Sequence, residues 1–237
     1  MNVVLLRVGI DTGCGGIHGP LFRDGTFDYV PIPDGLGIDE RTYGSIRGRD
    51  GRPLVQYFPP TRRARMMHHS VHVDPEFGTC TYGDPTAPKA GLRRLEPGDL
   101  LVFYCGLRGW DHDAQPALYL MGYLEVCAAG LARDFCPDEL HTLFANNFHV
   151  RHPEVLAMQG ERLVLVKGGA GSRLFRRAVR ISENGRDRRG YPLKVLSREM
   201  RPVFGDFGGR ESIQRSPPRW VAPDRAEQAA RYVRSLT

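Results

Sequence analysis

Val3-Val4-Leu5-Leu6-Arg7-Val8-Gly9-Ile10-Asp11-Thr12-Gly13-Cys14-Gly15-Gly16 is the stretch on which the reading of the fold turns. Val3 to Val8 is an apolar run broken only by Arg7. A half-exposed strand would alternate, so this one reads as a strand buried on both faces and is expected centrally in a sheet. A glycine loop after a first strand is the arrangement that cradles phosphates when it opens a helix. Here Pro20 follows instead, and Asp24-Gly25, set between Leu21-Phe22-Arg23 and Thr26-Phe27-Asp28-Tyr29-Val30, signals a β-hairpin. A Rossmann or Walker loop is therefore excluded.

Working outward, residues 31–65 are rich in Pro, Gly and Arg, with no sustained helical period, and predict ordered loop with short strands. Pro97-Gly98-Asp99 leads into the strand Leu100-Leu101-Val102-Phe103-Tyr104, which is expected to pair with Leu118 to Val126. Leu140, Leu143 and Phe144 recur at helical spacing between Pro137 and Asn147, predicting a short helix with Asp138 as N-cap. Leu163 to Val166 and Ala178 to Ile181 flank the loop Lys167-Gly168-Gly169-Ala170-Gly171-Ser172. A last helix begins near Pro223-Asp224, with Ala226, Ala229, Ala230 and Val233 as its apolar stripe. The expected fold class is α+β, mainly β-strand with few helices and a C-terminal helix, organised as one domain over residues 1–237.

With 237 residues, 41% of them hydrophobic, the chain can bury a substantial core, which excludes disorder. Its apolar runs are strand-sized, well short of the roughly 20 residues that cross a bilayer. The start has neither a basic region nor a small-residue cleavage site, so a cytoplasmic protein is expected. Cys14, Cys80, Cys105, Cys127 and Cys136 are odd in number and lack a C-x-x-C pair, which argues for reduced thiols and against a zinc knuckle. The net charge of +6 comes from 30 Arg and 3 Lys set against 27 acidic residues. Residues 160–201 alone hold 12 Lys or Arg and 4 Asp or Glu, a net of +8, leaving −2 for everything else. A local positive field of this kind suits a polyanion, and a solvated basic face has the same signature.

Arg7, Gly9, Asp11, Gly15, Gly16, Pro20, Asp24-Gly25 and Pro31-Ile32-Pro33-Asp34 form an ordered set that resembles the bacterial and phage family called nucleotide modification associated domain 3. Tyr43, His72-Val73-Asp74-Pro75, Pro97-Gly98-Asp99, Gly106 to Trp110 and Gly122-Tyr123 extend the resemblance over roughly residues 1 to 200. Thr12 is a conservative replacement for the family's Ser, whereas Leu6 and Val8 depart from a polar Ser and Lys. The resemblance implies a role on DNA, in a base-modification or phage-defence system, without naming a reaction. The Gly-Asp strand entry at Gly98-Asp99 and the answering Gly122-Tyr123 strand are also similar to PUA-related barrels, so a PUA-like β-barrel is one form the strands could take.

Three groups of residues are candidates for chemistry. Asp11 lies just past a buried strand among glycines that permit close approach of a ligand, which suits a general acid or base, and a common turn residue has the same position. His18 or His72 could partner it. His68-His69-x-x-His72-x-Asp74 is the densest group of possible metal ligands. With His149 or His152 it would make the facial triad of an iron oxygenase, but H-x-D also arises by chance and Asp74-Pro75 reads as a turn. The expectation is that no metal is held, with His72 and Asp74 assisting Asp11. Lys167, Gly168, Gly169, Ser172 and Arg173, continued by Arg176 and Arg177, could grip a phosphate, as could Arg7, Thr12, Gly15 and Gly16 in the first loop. A hairpin loop with no ligand fits the former equally well. Cys14 is read as structural. The favoured function is thus an enzyme acting on DNA, with no cofactor identified. The alternatives are a non-catalytic module that reads modified bases, an iron-dependent base oxygenase and a nuclease.

Overall fold

The computed structural model describes residues 1–210, 212–214 and 217–236. In chain order the strands are β1 (Val3–Arg7), β2 (Gly19–Leu21), β3 (Ile32–Pro33), β4 (Val71–His72), β5 (Thr81–Asp84), β6 (Leu100–Gly109), β7 (Ala117–Leu131), β8 (Val164–Gly168), β9 (Arg173–Arg180), β10 (Ser182–Arg186), β11 (Pro192–Leu196) and β12 (Arg219–Trp220). The α-helices are α1 (Pro60–Met67), α2 (Pro137–Phe144), α3 (Phe148–Arg151), α4 (Pro153–Gln159), α5 (Arg201–Phe204) and α6 (Pro223–Ser235).

An eight-stranded mixed sheet organises the molecule, in the order β12-β1-β6-β7-β8-β5, with β2 added beside β6 and β9 beside β7. Its centre is the antiparallel pair β6 and β7, joined from Leu100↔Glu125 to Leu107↔Ala117 with a bulge at Phe103/Tyr104. β1 runs parallel to β6, from Val3↔Leu100 to Arg7↔Tyr104. Burial of β1 on both faces is as its sequence predicts, but its place is one strand in from the edge, flanked by the two-residue β12. Successive β1 side chains feed two different cores. Val3 and Leu5 pack with Ala226, Ala229, Ala230 and Val233 of α6. Val4 and Leu6 pack on the opposite face with Leu92, Leu95, Leu101 and Phe103.

The long β7 binds two partners along one edge: β9 along Tyr119 to Tyr123 and β8 along Val126 to Leu131. β8 and β9 therefore do not form a hairpin with each other, and the loop between them folds back on β7 through the Gly169 N–H, which donates to the Glu125 carbonyl. Among the described residues the sheet is open, with β12 at one edge and β5 at the other, so the strands do not close into a barrel. The fold is α+β with more strand than helix and a C-terminal helix.

Two local expectations are corrected. α2 is capped by Cys136, whose N–H donates to the Glu139 carboxylate at 2.8 Å, and Asp138 lies inside the first turn. Residues 31–65 contain a helix: α1 starts with Pro60, whose fixed φ and missing N–H suit a first turn, and it buries only Met66, too little for a periodic signal. β3 and β4 pair as Ile32↔His72, which draws the 31–74 segment over the glycine loop that follows β1. A third core of Ile10, Val30, Tyr43, Phe58, Met66 and Val71 holds this layer together.

Candidate functional site

The β1 loop, the end of β4, β5 and the α3/α4 pair wall a cavity of about 860 Å³. Arg7, Asp11, Thr12, Gly13 and Cys14 come from the first, His72 and Asp74 from the second, Tyr82, Gly83 and Asp84 from the third, and His149 and Gln159 from the helices. Lys89 and Gln214 also line it. The volume is within the roughly 300–1,000 Å³ of small-molecule sites.

In the β1 loop, Asp11 Oδ1 accepts the N–H groups of Gly13 and Cys14, both at 2.7 Å. Its Oδ2 pairs with Arg7 at 2.8 Å. Asp11 thus builds the loop and presents Arg7 at the cavity wall. Gly15 and Gly16 have positive φ and do not line the cavity; a Cβ on Gly15 would strike Ile10, and one on Gly16 would strike Arg62. Their service is to pack the loop. Burial, followed by the charge of Asp11, raises the pKa of the Cys14 thiol, the opposite of what a nucleophilic thiolate needs. His18 is outside the lining.

Elsewhere on the lining, His72, Asp74 and His149 converge, their ligand-type atoms all within 4.8 Å of one another. Asp74 Oδ2 is 3.8 Å from His72 Nε2 and 3.6 Å from His149 Nε2. The shell around them is specific. Gly83 N–H donates to Asp74 Oδ2 at 2.8 Å, and Tyr29 Oη–H donates to the Asp74 carbonyl at 2.7 Å. His149 Nδ1 lies 2.7 Å from Gln159 Oε1. The Asn147 side chain caps α3 by accepting the His149 N–H. The His72 ring stacks on Phe148 with centroids 3.9 Å apart. A Cβ on Gly83 would meet the His149 ring at 2.8 Å, so only glycine lets that ring lie against β5.

Three atoms of this group, His72 Nε2, Asp74 Oδ1 and His149 Nε2, are buried without a hydrogen-bond partner. Burial pushes the Asp74 carboxyl up to about 8, against the pull of His149 and the Gly83 N–H. Burial also lowers His72 to about 4, with Asp34 and Asp84 opposing, and lowers His149, with Asp74 opposing. Low polarity thus disfavours charge on all three groups. Two imidazole nitrogens and one carboxylate, gathered on a cavity wall, are a donor set that could hold a metal ion.

The site residues read from the sequence fall into separate places. Asp11, His72, Asp74, Arg7 and Thr12 share the cavity, whereas Lys167 to Arg177 lie outside its lining. In that second group, Lys167 Nζ donates to the Thr79 carbonyl and Ser172 Oγ accepts the Glu125 N–H. Arg173, Arg176 and Arg177 are exposed on β9. Of the two histidines that could complete H-x-D, His149 joins the group while His152 lies 3.5 Å from Asp39. His68 and His69 are not part of the lining. Gln159, Tyr82, Gly83 and Lys89 were missed. Thr81-Tyr82-Gly83-Asp84 is too short and mixed to read as a strand, and nothing local marks Gln159 as a histidine's partner.

A family model described as nucleotide modification associated domain 3 matches residues 2–234. No curated protein matches the chain, and no solved structure does.

Proposed function

The chain belongs to the nucleotide modification associated domain 3 family, and on that premise we propose that it is an enzyme that modifies a nucleotide within DNA, held in the cavity between the β1 loop and α3. The observation that carries the reading is the meeting of His72, Asp74 and His149 in the lining of a nucleotide-sized cavity, with buried side-chain atoms that lack a hydrogen-bond partner. Unpaired buried polar atoms cost roughly 1–3 kcal/mol each, and such a cost is commonly retained where a ligand supplies the missing partner. On this reading the three side chains contact the reacting part of the substrate. Arg7 and Lys89, which also line the cavity, face the substrate's phosphate or other polar groups. Each has a carboxylate beside it, Asp11 at 2.8 Å and Asp84 at 3.2 Å, which fixes its position. Asp11 acts through Arg7 and the loop, as a positioning residue, and the acid and base work passes to His72 and Asp74. The exposed arginines of β9 serve the nucleic-acid backbone.

The test is nucleoside mass spectrometry on DNA from cells expressing the wild-type chain or His72→Ala, with a gel for strand breaks on the same samples. A new nucleoside that falls at least about 100-fold in the variant is expected, the scale of losing an acid or base group. Strand breaks without a new nucleoside would favour a nuclease. If the wild-type chain yields neither product, a non-catalytic role in reading bases replaces this proposal.

A further inference from the structure

We propose that His72, Asp74 and His149 form a binding site for a single divalent first-row transition-metal ion, of the two-histidine, one-carboxylate type, with its remaining positions open to the cavity. With an ion bound, His72 and Asp74 would act on the substrate through it and not as acid and base directly, and the binding itself does not depend on which substrate the cavity takes. In the unfolded chain the ligands are scattered, and the expectation from sequence is that no metal is held. Folding brings them together through three elements: β4 carries His72, the turn after it carries Asp74, and α3 carries His149.

Proton bookkeeping is the first argument. His149 Nδ1 lies 2.7 Å from Gln159 Oε1, and an amide oxygen can only accept, so Nδ1 carries the hydrogen. In the neutral ring the Nε2 lone pair is then aimed at Asp74 Oδ2, 3.6 Å away, which also offers lone pairs. Two acceptors facing each other in a buried place need either a shared proton or a metal cation between them, and 3.6 Å is too long for a shared proton to bridge as a hydrogen bond. Asp74 Oδ1 and His72 Nε2, which also lack partners, point to the same conclusion. Among the described residues no Lys or Arg is ion-paired to Asp74.

Geometry is the second. A four-coordinate ion with donors at about 2.0–2.2 Å sets those donors about 3.3–3.6 Å apart. The separations of 3.6 and 3.8 Å lie at and just above that range, and all three ligand atoms are within 4.8 Å, so the set would contract by at most about 1.5 Å to close on an ion. The surrounding shell has the form that metal sites require. One histidine is locked by its second nitrogen on Gln159, the carboxylate is held by the Gly83 N–H, and an apolar ring, Phe148, stacks on the other histidine. Two imidazoles among three donors suit Zn²⁺, Fe²⁺, Co²⁺, Ni²⁺ or Mn²⁺ and not Mg²⁺ or Ca²⁺, which prefer oxygen cages. Three protein ligands leave positions for water or substrate, as in catalytic and not structural sites.

The experiment is titration of the chelator-treated, full-length protein with Co²⁺, read by visible ligand-field absorption and by melting temperature. Saturation at one ion per chain, a raised melting temperature and no response to Mg²⁺ are expected. His149→Ala and Asp74→Asn should abolish the absorption, while His69→Ala, which changes a histidine outside the group, should retain it. Gln159→Ala leaves every ligand in place and should weaken binding about 10- to 100-fold. If the ligand variants fail to fold, X-ray absorption of the Co²⁺-loaded wild type decides the matter, with two imidazole ligands expected. No stoichiometric binding by the folded wild type, unchanged binding by a folded His149→Ala, or fewer than two imidazoles would overturn the proposal. Because these readouts need no substrate, metal binding can succeed while the nucleoside assay fails, and the reverse.

Discussion

Both carboxylate oxygens of Asp11 are engaged inside its own loop, one by the Gly13 and Cys14 N–H groups and the other by Arg7. A general base needs a lone pair aimed at substrate, and the loop already engages both oxygens. Asp74 has the complementary character: one oxygen is held by Gly83 and the other is buried and unpartnered. The place of Asp11 on the cavity lining was legible in the sequence, because a buried strand followed by glycines fixes where the residue lies. Its hydrogen-bond allegiance was not, since the same side chain serves a turn or a reaction depending on where its lone pairs point. Asp11→Asn keeps one carbonyl for the turn and loses the Arg7 pair. It is expected to cost at most about 1 kcal/mol of stability and to leave turnover within about tenfold of wild type. A loss near 100-fold at an unchanged melting temperature would return the acid or base role to Asp11.

The elements that set the site differ in how well the sequence announces them. β6 and β7 are long apolar strands and were plain, whereas α3 spans four residues and α4 seven, too few turns for a 3.6-residue period to emerge. α3 carries His149 nonetheless, and a buried ion cluster ties it down. Asp39 accepts from Arg41 Nε and Nη2 at 2.9 and 2.7 Å, and it meets Arg151 and His152, at the end of α3, at 3.9 and 3.5 Å. Burial alone would raise the Asp39 pKa, but the hydrogen bonds from Arg41 and the charges of Arg41 and Arg151 outweigh it and hold the carboxyl at about 2. A carboxyl with a depressed folded-state pKa stabilises fully above its unfolded value of about 3.9, and the contribution is lost as pH falls towards 2. Asp39→Asn should therefore lower stability by roughly 2 kcal/mol at pH 6, and its gap to wild type should close between about pH 4 and pH 2. Thermal unfolding of both proteins across that window is the check. A gap that stays constant down to pH 2 would mean that shape, not charge, gives Asp39 its value.

Across the whole molecule, charge and chemistry occupy different surfaces. The histidines that the sequence grouped as 68–72 are split by folding, and His149 arrives from the far side of β7, so the cavity could be named only in part from local spacing. The basic segment 160–201 was visible as a charge excess, yet it is not one surface. Val164, Leu165 and Val166 of β8 are buried, Lys167 and Lys194 donate to backbone carbonyls, and the exposed cations gather on β9 and on the β10–β11 hairpin. On β9, Arg176 and Arg177 have no carboxylate partner among the described residues, which leaves their guanidinium groups available to phosphate. If this face holds the DNA backbone while the cavity does the chemistry, the two functions separate by mutation. Changing Arg173, Arg176 and Arg177 together to Glu should abolish or strongly weaken DNA binding. Any residual binding should have a dependence of log affinity on log salt that is shallower by about 3, one released counterion for each lost contact. His72→Ala should leave both affinity and salt slope as in wild type, because no residue of β9 lines the cavity. Fluorescence anisotropy with a labelled duplex over a range of salt concentrations measures both quantities. Unchanged affinity in the triple variant would remove β9 from the DNA contact and transfer attention to the β10–β11 hairpin, whose turn exposes Arg188, Arg189 and Tyr191.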